Sequence, residues 1–311
     1  MKAILDTLRT QLTGQVVGAD EAAYSLLTAL LAGGHVLIQG APGIGKTSLA
    51  KTLARLIDGT FRRVQFTPDL LPSDLLGHSI FNQPTGEFEF IEGPVFSHLM
   101  LADEINRTSP RIQSALLECM NESQVSIDGV TRPLPTPFLV IATQNNRYAA
   151  GTFPLPEPQL DRFLLSVEMR LPGLEDQAEI LRHHAVGMNG SQLEPVVGVE
   201  TVAEWQKAVR SLPVSDPVCR YIVTLCEAAR SHRDLNDGVS ARGSIALMRA
   251  AQGVAMIEGH EAVYPDDVKS AFVPVLAHRL TPAGDEYGSE MPRRSRVVAV
   301  LREILENTPV P

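Results

Sequence analysis

Little in this chain suits an oxidising compartment or a membrane. Only three of its 311 residues are cysteine, Cys119, Cys219 and Cys226. The number is odd and no C-x-x-C spacing occurs, which excludes a disulfide framework and suits a reducing cytosol. Cys219 and Cys226 lie in an apolar, helix-like stretch and read as small hydrophobes. Aromatic residues make up 5%, so the core must be built from Leu, Val, Ile and Ala. No run approaches the roughly 18 apolar residues of a spanning helix. Met1 to Asp6 is amphipathic with an early acid, unlike a signal peptide, and the expected location is cytoplasmic. The chain also lacks a cationic surplus. A net charge of −9 argues against unassisted binding to nucleic acid.

What is present is a soluble globular composition, 44% hydrophobic and 20% charged. The length favours two domains. One stretch organises the rest: Gly40-Ala41-Pro42-Gly43-Ile44-Gly45-Lys46-Thr47, behind the apolar run His35 to Gln39. This is G-x-x-x-x-G-K-[ST] between a strand-like and a helix-like segment, a phosphate-binding loop. The glycines let the backbone curl so that successive N–H groups converge on one phosphate. Lys46 is placed to reach the outer phosphates, the Thr47 hydroxyl to help hold Mg²⁺, and the helix beginning near Lys46 and Ser48 adds its positive dipole end.

In chain order, helices are predicted over 2–13 and 19–32, the second stopped by Gly33-Gly34. Strands are predicted at 35–39, 61–66, 99–102, 138–143 and 164–169, alternating mainly with helices. That pattern is an α/β fold with a five-stranded parallel sheet buried on both faces. Between Pro68 and Leu76 a short helix broken at Pro72 is expected. Two stretches, about 79–94 and 124–136, carry the alternation and turn chemistry of β-hairpin inserts, the second around Asp128-Gly129. Beyond Leu174 no strand is evident. The expected division is a nucleotide-binding core over 1–192 and a small all-helical domain over 193–311, with 187–198 resembling a linker.

Asp103-Glu104 close the buried run Leu99-Met100-Leu101. A parallel sheet offers ligands at the C-terminal ends of its strands, so the pair should arrive beside the phosphate loop. Asp103 is then suited to the Mg²⁺ shell and Glu104 to polarising the attacking water. Asn145 follows the strand 138–143; if that strand lies between the two motif strands, its amide falls at the γ-phosphate. Phe88 and Phe90 on the first hairpin read equally well as contact residues or as packing onto their own domain. Arg293, Arg294 and Arg296 read as one face of a helix.

Taken together, Val16-Val17-Gly18-Ala19, Gly40 to Thr47, Leu101 to Arg107, Ile141 to Asn145, Leu155 to Phe163 and Gly238 to Arg242 resemble the MoxR family of AAA+ ATPases over nearly the full length. The resemblance implies a P-loop AAA+ core with a helical lid, ATP and Mg²⁺ as cofactors, and a ring that is usually hexameric. It implies that Val16, Val17 and Gly18 line the adenine pocket. Arg162 matches the arginine finger that acts on a neighbouring subunit's ATP. Arg242 matches the lid's second sensor, touching the γ-phosphate of its own subunit, although Ala241 stands where the family more often has Pro. The implied work is chaperone-like remodelling, maturation or cofactor insertion on a protein client, often with a partner carrying a von Willebrand factor A domain. A nucleic-acid remodeller and a metal-chelatase motor subunit are the alternatives; the net charge of −9 and the near absence of Lys and Arg on both hairpins, Arg132 being the exception, count against the first, and Asp103-Glu104-Ile105-Asn106-Arg107 favours the MoxR family over the second.

Overall fold

The computed structural model describes residues 1–41, 43–144, 152–185, 193–236, 238–284 and 292–311. The chain opens with helices α1 (Lys2–Gln15) and α2 (Asp20–Ala32). There follow strand β1 (Val36–Gln39), helix α3 (Lys46–Leu56), strand β2 (Phe61–Gln65) and the five-residue helix α4 (Pro72–Leu76). Pro72 opens α4 instead of breaking it: the residue before it, Leu71, is extended (φ −104°, ψ 153°), as a residue preceding proline prefers. Strands β3 (Gly77–Asn82) and β4 (Glu87–Glu92) form the first hairpin, and β5 (Leu99–Asp103) returns to the main sheet. Helix α5 (Pro110–Glu122) starts behind Ser109, which stands at the N-cap without a side-chain capping bond. The second hairpin, β6 (Gln124–Ile127) and β7 (Val130–Pro133), turns at Asp128-Gly129. It leads to β8 (Leu139–Gln144), α6 (Glu157–Leu160) and β9 (Leu165–Glu168).

The main sheet has the order β2-β5-β8-β1-β9 and every pairing in it is parallel. β8 therefore lies between β5 and β1, which brings its C-terminal residues Thr143 and Gln144 between the acid pair and the phosphate loop. Alternate side chains feed two cores. Leu99, Leu101, Leu139 and Ile141 face α1, α2 and α3, whereas Met100, Ala102, Val140 and Ala142 face α5 and the first hairpin's base.

The rest is helical: α7 (Leu174–Ala185), α8 (Val199–Ser211), α9 (Asp216–Arg230), α10 (Ala241–Glu258), α11 (Pro265–Leu276) and α12 (Arg293–Asn307). One short exception corrects the expected all-helical reading. β10 (Leu235–Asn236) pairs antiparallel with β11 (Thr281–Pro282) between α9 and α12. Helix α2 is buried on nearly every side, so it is apolar almost all round, Ala22 to Ala32. α8 and α10 pack on it, and Gly253 of α10 is close enough that a Cβ there would meet Thr28 O at 2.8 Å.

Candidate nucleotide site

The phosphate loop turns between β1 and α3. Gly40, Gly43 and Gly45 have φ values of 155°, 81° and 91°. Gly45 cannot be replaced without strain, since φ is left-handed and a Cβ would meet Val16 Cγ1 at 2.7 Å. That contact places the buried Val16 against the loop, and Val17 and Gly18 follow it. A Cβ on Gly18 would meet Asp176 Oδ2 at 3.2 Å and Pro172 Cβ at 3.9 Å. Val16 to Gly18 and Pro172 to Asp176 thus border the same side of the loop. Ile44 is buried, Ala41 and Ser48 are exposed, and Thr47 is half-buried at the start of α3. Lys46 is buried and its Nζ donates to Gly40 O at 2.9 Å. Burial lowers its pKa, and the charges of Asp103 and Glu104 oppose that shift, so both carboxylates act on the ammonium. Pro42 and Asn145 lie outside the described residues.

The acid pair is tightly held. The Thr143 hydroxyl donates to Asp103 Oδ1 at 2.6 Å and accepts from Glu104 N at 2.8 Å. Asp103 Oδ2 is paired with Arg63 Nη2 at 2.7 Å. Glu104 stands in the left-handed region (φ 59°, ψ 50°), a conformation that costs a non-glycine residue on the order of 1 kcal/mol. Its carboxylate accepts from Arg107 Nη1 at 2.8 Å and from Gln65 Nε2 at 3.1 Å. Asp103 and Thr47 are hard oxygen donors of the kind that Mg²⁺ takes, so the donor set fits that ion. Arg63 and Gln65 escaped the sequence reading, and Arg107 and Thr143 stood inside recognised motifs with no role assigned. The signal of the first two was faint: polar residues at alternate positions of β2, in register with Leu101 and Asp103.

The arginines lie elsewhere. Arg162 precedes β9 and its Nη1 donates to Leu117 O on α5. At the other end of β9, Met169 N donates to Gln39 O, directly before the phosphate loop. A strand advances about 3.3 Å per residue, so the four residues of β9 alone separate its two ends by on the order of 10 Å. Arg242, in the first turn of α10, lies on the same side as Arg162. A Cβ on the next residue, Gly243, would stand 3.6 Å from Arg279 Cδ, and the Arg279 guanidinium contacts Asp161, Phe163 and Leu164. The expected contact of Arg242 with its own subunit's γ-phosphate is therefore corrected: α10 begins at the opposite end of the strands from Lys46.

Comparison with known proteins decides the family. The profile of the ATPase family associated with various cellular activities (AAA) matches residues 35–165, and that of the AAA lid domain matches 227–303. Chaperone MoxR1 of Mycobacterium tuberculosis is 38% identical over 93% of this chain and 78% of its own length. The chain belongs to the MoxR family of AAA+ ATPases. Protein MoxR of Paracoccus denitrificans is 34% identical, covering 96% of this chain and 94% of its own. The protein YeaC of Bacillus subtilis, itself uncharacterized, is 44% identical over 95% and 91%. A crystal structure of a candidate ATPase from Cytophaga hutchinsonii superposes with a TM-score of 0.89 at 35% identity, covering 100% of this chain and 96% of that one. As a MoxR-family ATPase the chain has a nucleotide-binding core and a helical lid.

The inserts divide the two phenylalanines. Phe90 stacks under Arg132 of the second hairpin, 3.9 Å from guanidinium to ring centroid, and packs edge-on against Phe96. Ser79, opposite Phe90, donates to Asp128 Oδ2 at 2.7 Å, so the hairpins are joined there. Phe88 lies farther out, 75% exposed, against Phe81. Packing claims Phe90 and leaves Phe88 open. The arginine cluster divides too. Arg294 is half-buried and bonded to protein, its Nη1 donating to Gln39 Oε1 at 3.2 Å and Ser166 Oγ at 2.7 Å. Among the described residues no helix is long and apolar enough to cross a membrane.

Proposed function

We propose that this chain hydrolyses ATP with Mg²⁺ and uses the cycle to remodel a protein client in the cytoplasm, as a ring of copies. The observation that carries this is the convergence of Lys46, Asp103 and Glu104 at one end of the sheet while Arg162 and Arg242 stand at the other. Lys46 and the loop N–H groups bind the phosphates; Thr47 and Asp103 would hold Mg²⁺, which would supply charge neutralisation there. Glu104, fixed by Gln65 and Arg107, orients and polarises the attacking water. Val16, Val17 and Gly18 receive the adenine. Among the described residues, the arginines beside the acid pair, Arg63 and Arg107, are tied to Asp103 and Glu104, so a further cation at the γ-phosphate comes from another copy. Arg162 and Arg242 supply it to a neighbouring copy, which makes a closed ring the natural assembly, six-membered by family habit.

The exposed Phe81–Phe88 pair offers the client an apolar contact. A protein client fits better than nucleic acid, because the one arginine of the hairpins, Arg132, is stacked on Phe90. A partner carrying a von Willebrand factor A domain would deliver that client. The test is Glu104→Gln. It retains ATP affinity, loses turnover by about a hundredfold or more, and holds clients long enough to be captured and identified. Wild-type turnover in this variant would refute the assignment of Glu104.

A further inference from the structure

Two successive residues after α11 fold back onto the chain entering β9. His278 and Arg279 are 7% and 6% exposed. Arg279 Nε pairs with Asp161 Oδ1 at 2.8 Å, Nη2 donates to Phe163 O at 2.7 Å and to Asp161 O at 3.2 Å, and Nη1 donates to Leu164 O at 3.2 Å and to Val275 O. His278 Nε2 donates to Phe163 O at 2.9 Å. Burial, reinforced by the Arg279 charge, holds that ring neutral, the state in which one nitrogen donates and the other does not. Asp161, Phe163 and Leu164 are therefore all gripped from α11, and Arg162 is the residue between them.

The same arginine also touches the lid turn that carries Arg242. Its stem passes Gly243 so closely that a Cβ there would stand 3.6 Å from Arg279 Cδ and 2.8 Å from Val239 Cγ1. Burying an ion pair this deeply adds little net stability, since desolvation offsets the attraction and an apolar residue of similar volume often serves as well. What a guanidinium provides here, and an apolar side chain cannot, is direction: a planar fork fixes several carbonyls in one geometry. The Asp161 carboxylate, the natural intramolecular partner for Arg162, is occupied by Arg279, and Arg162 is held instead by its donation to Leu117 O, half-exposed at the surface.

We infer that Arg279 is a positioning residue that locks Arg162 and the Arg242 turn into one face offered to the neighbouring copy. The inference rests on the reading above that these two arginines act in trans. Misplacing a catalytic group by about 1 Å costs on the order of a hundredfold in rate. Arg279→Lys keeps the charge and loses the fork, so turnover should fall at least about tenfold.

The decisive measurement is ATP turnover in mixed assemblies. Lys46→Ala subunits cannot fire but carry an intact Arg162 face. Mixed with Arg162→Ala subunits, they should restore turnover above the sum of the two alone. Mixed with Arg279→Lys subunits, they should do the same, because the defect is in what that subunit lends its neighbour. A purely structural or same-site role for Arg279 predicts no such rescue. Rescue of Arg162→Ala without rescue of Arg279→Lys overturns the inference, as does wild-type turnover of Arg279→Lys alone. Failure to rescue Arg162→Ala overturns the trans reading itself and the inference with it. Should Arg279→Lys fail to fold, judged by its melting curve, Asp161→Asn in the same mixtures decides by the same outcomes.

Discussion

The two ends of the same five strands are built on different terms. At the N-terminal end, around β1 and β8, a buried imidazole is neutral and bonded on both ring nitrogens. His35 Nε2 donates to Met120 O at 3.0 Å, its Nδ1 accepts from Val140 N at 2.9 Å, and its edge meets Phe138. Burial pushes its pKa down to about 4. At the C-terminal end the polar groups are charged and bonded to substitutes. Lys46 rests on its own loop's carbonyl, Asp103 on Arg63, and Glu104 is held in a left-handed turn. Near His35 the sheet end is closed around protein, whereas the other end carries the charges of the phosphate site. The buried interior of one end and the chemistry of the chain's own phosphate site are thus separated along the strand axis, and a substitution's phenotype should report which of the two it touches.

The largest effect that tests this separation is at Lys46. Lys46→Met should weaken ATP binding by roughly a hundredfold, the value of a lost charge-assisted phosphate contact or two, while the melting temperature stays level or rises because a desolvated ammonium is gone. A clear fall in melting temperature would break the comparison. Next in size is the pH response of the closed end. Below about pH 6.5 the unfolded chain binds a proton on His35 that the folded chain refuses until about pH 4. Stability should therefore decline as pH falls through that window, by about 3 kcal/mol in all. Melting curves of the wild type and His35→Gln across it should converge toward low pH, with His278 leaving a residual slope of the same sign. Parallel curves would place the acid sensitivity elsewhere. The smallest effects concern the hairpins. Phe90→Ser removes the Arg132 and Phe96 contacts and should cost about 1–2 kcal/mol; Phe88→Ser should cost less than about 0.5 kcal/mol. Equal costs in denaturant unfolding would show that Phe88 packs as Phe90 does.

Much of this was legible in the order of residues. The strands are short apolar runs bounded by turn chemistry, and Gly40 to Thr47 with Asp103-Glu104 announce their chemistry through spacing alone. Strand order was harder to read, because β8 and β1 are neighbours across about a hundred residues of chain. For that reason Arg63 and Gln65 looked like unremarkable polar positions of an outer strand. The pairing of Asp161 with Arg279 spans 118 residues and no local pattern hints at it. The side of the sheet on which Arg242 falls depends on how α10 packs against α2, a matter of shape fit between two apolar surfaces. Periodicity predicts that each helix has a buried face, and not which partner covers it.

The apolar cluster on the α2 side has a mechanical consequence. It runs without a break from Leu5 and Leu27 through Leu139 and Leu165 to Val254, Phe272 and Leu301. Swinging α8 to α12 away as a hinged flap would bring such side chains into water at about 1.5–3 kcal/mol apiece. A few of them would match the free energy of the whole fold. The chain should therefore move as one stiff body, and in the proposed ring whatever a nucleotide changes should appear at the contacts between copies.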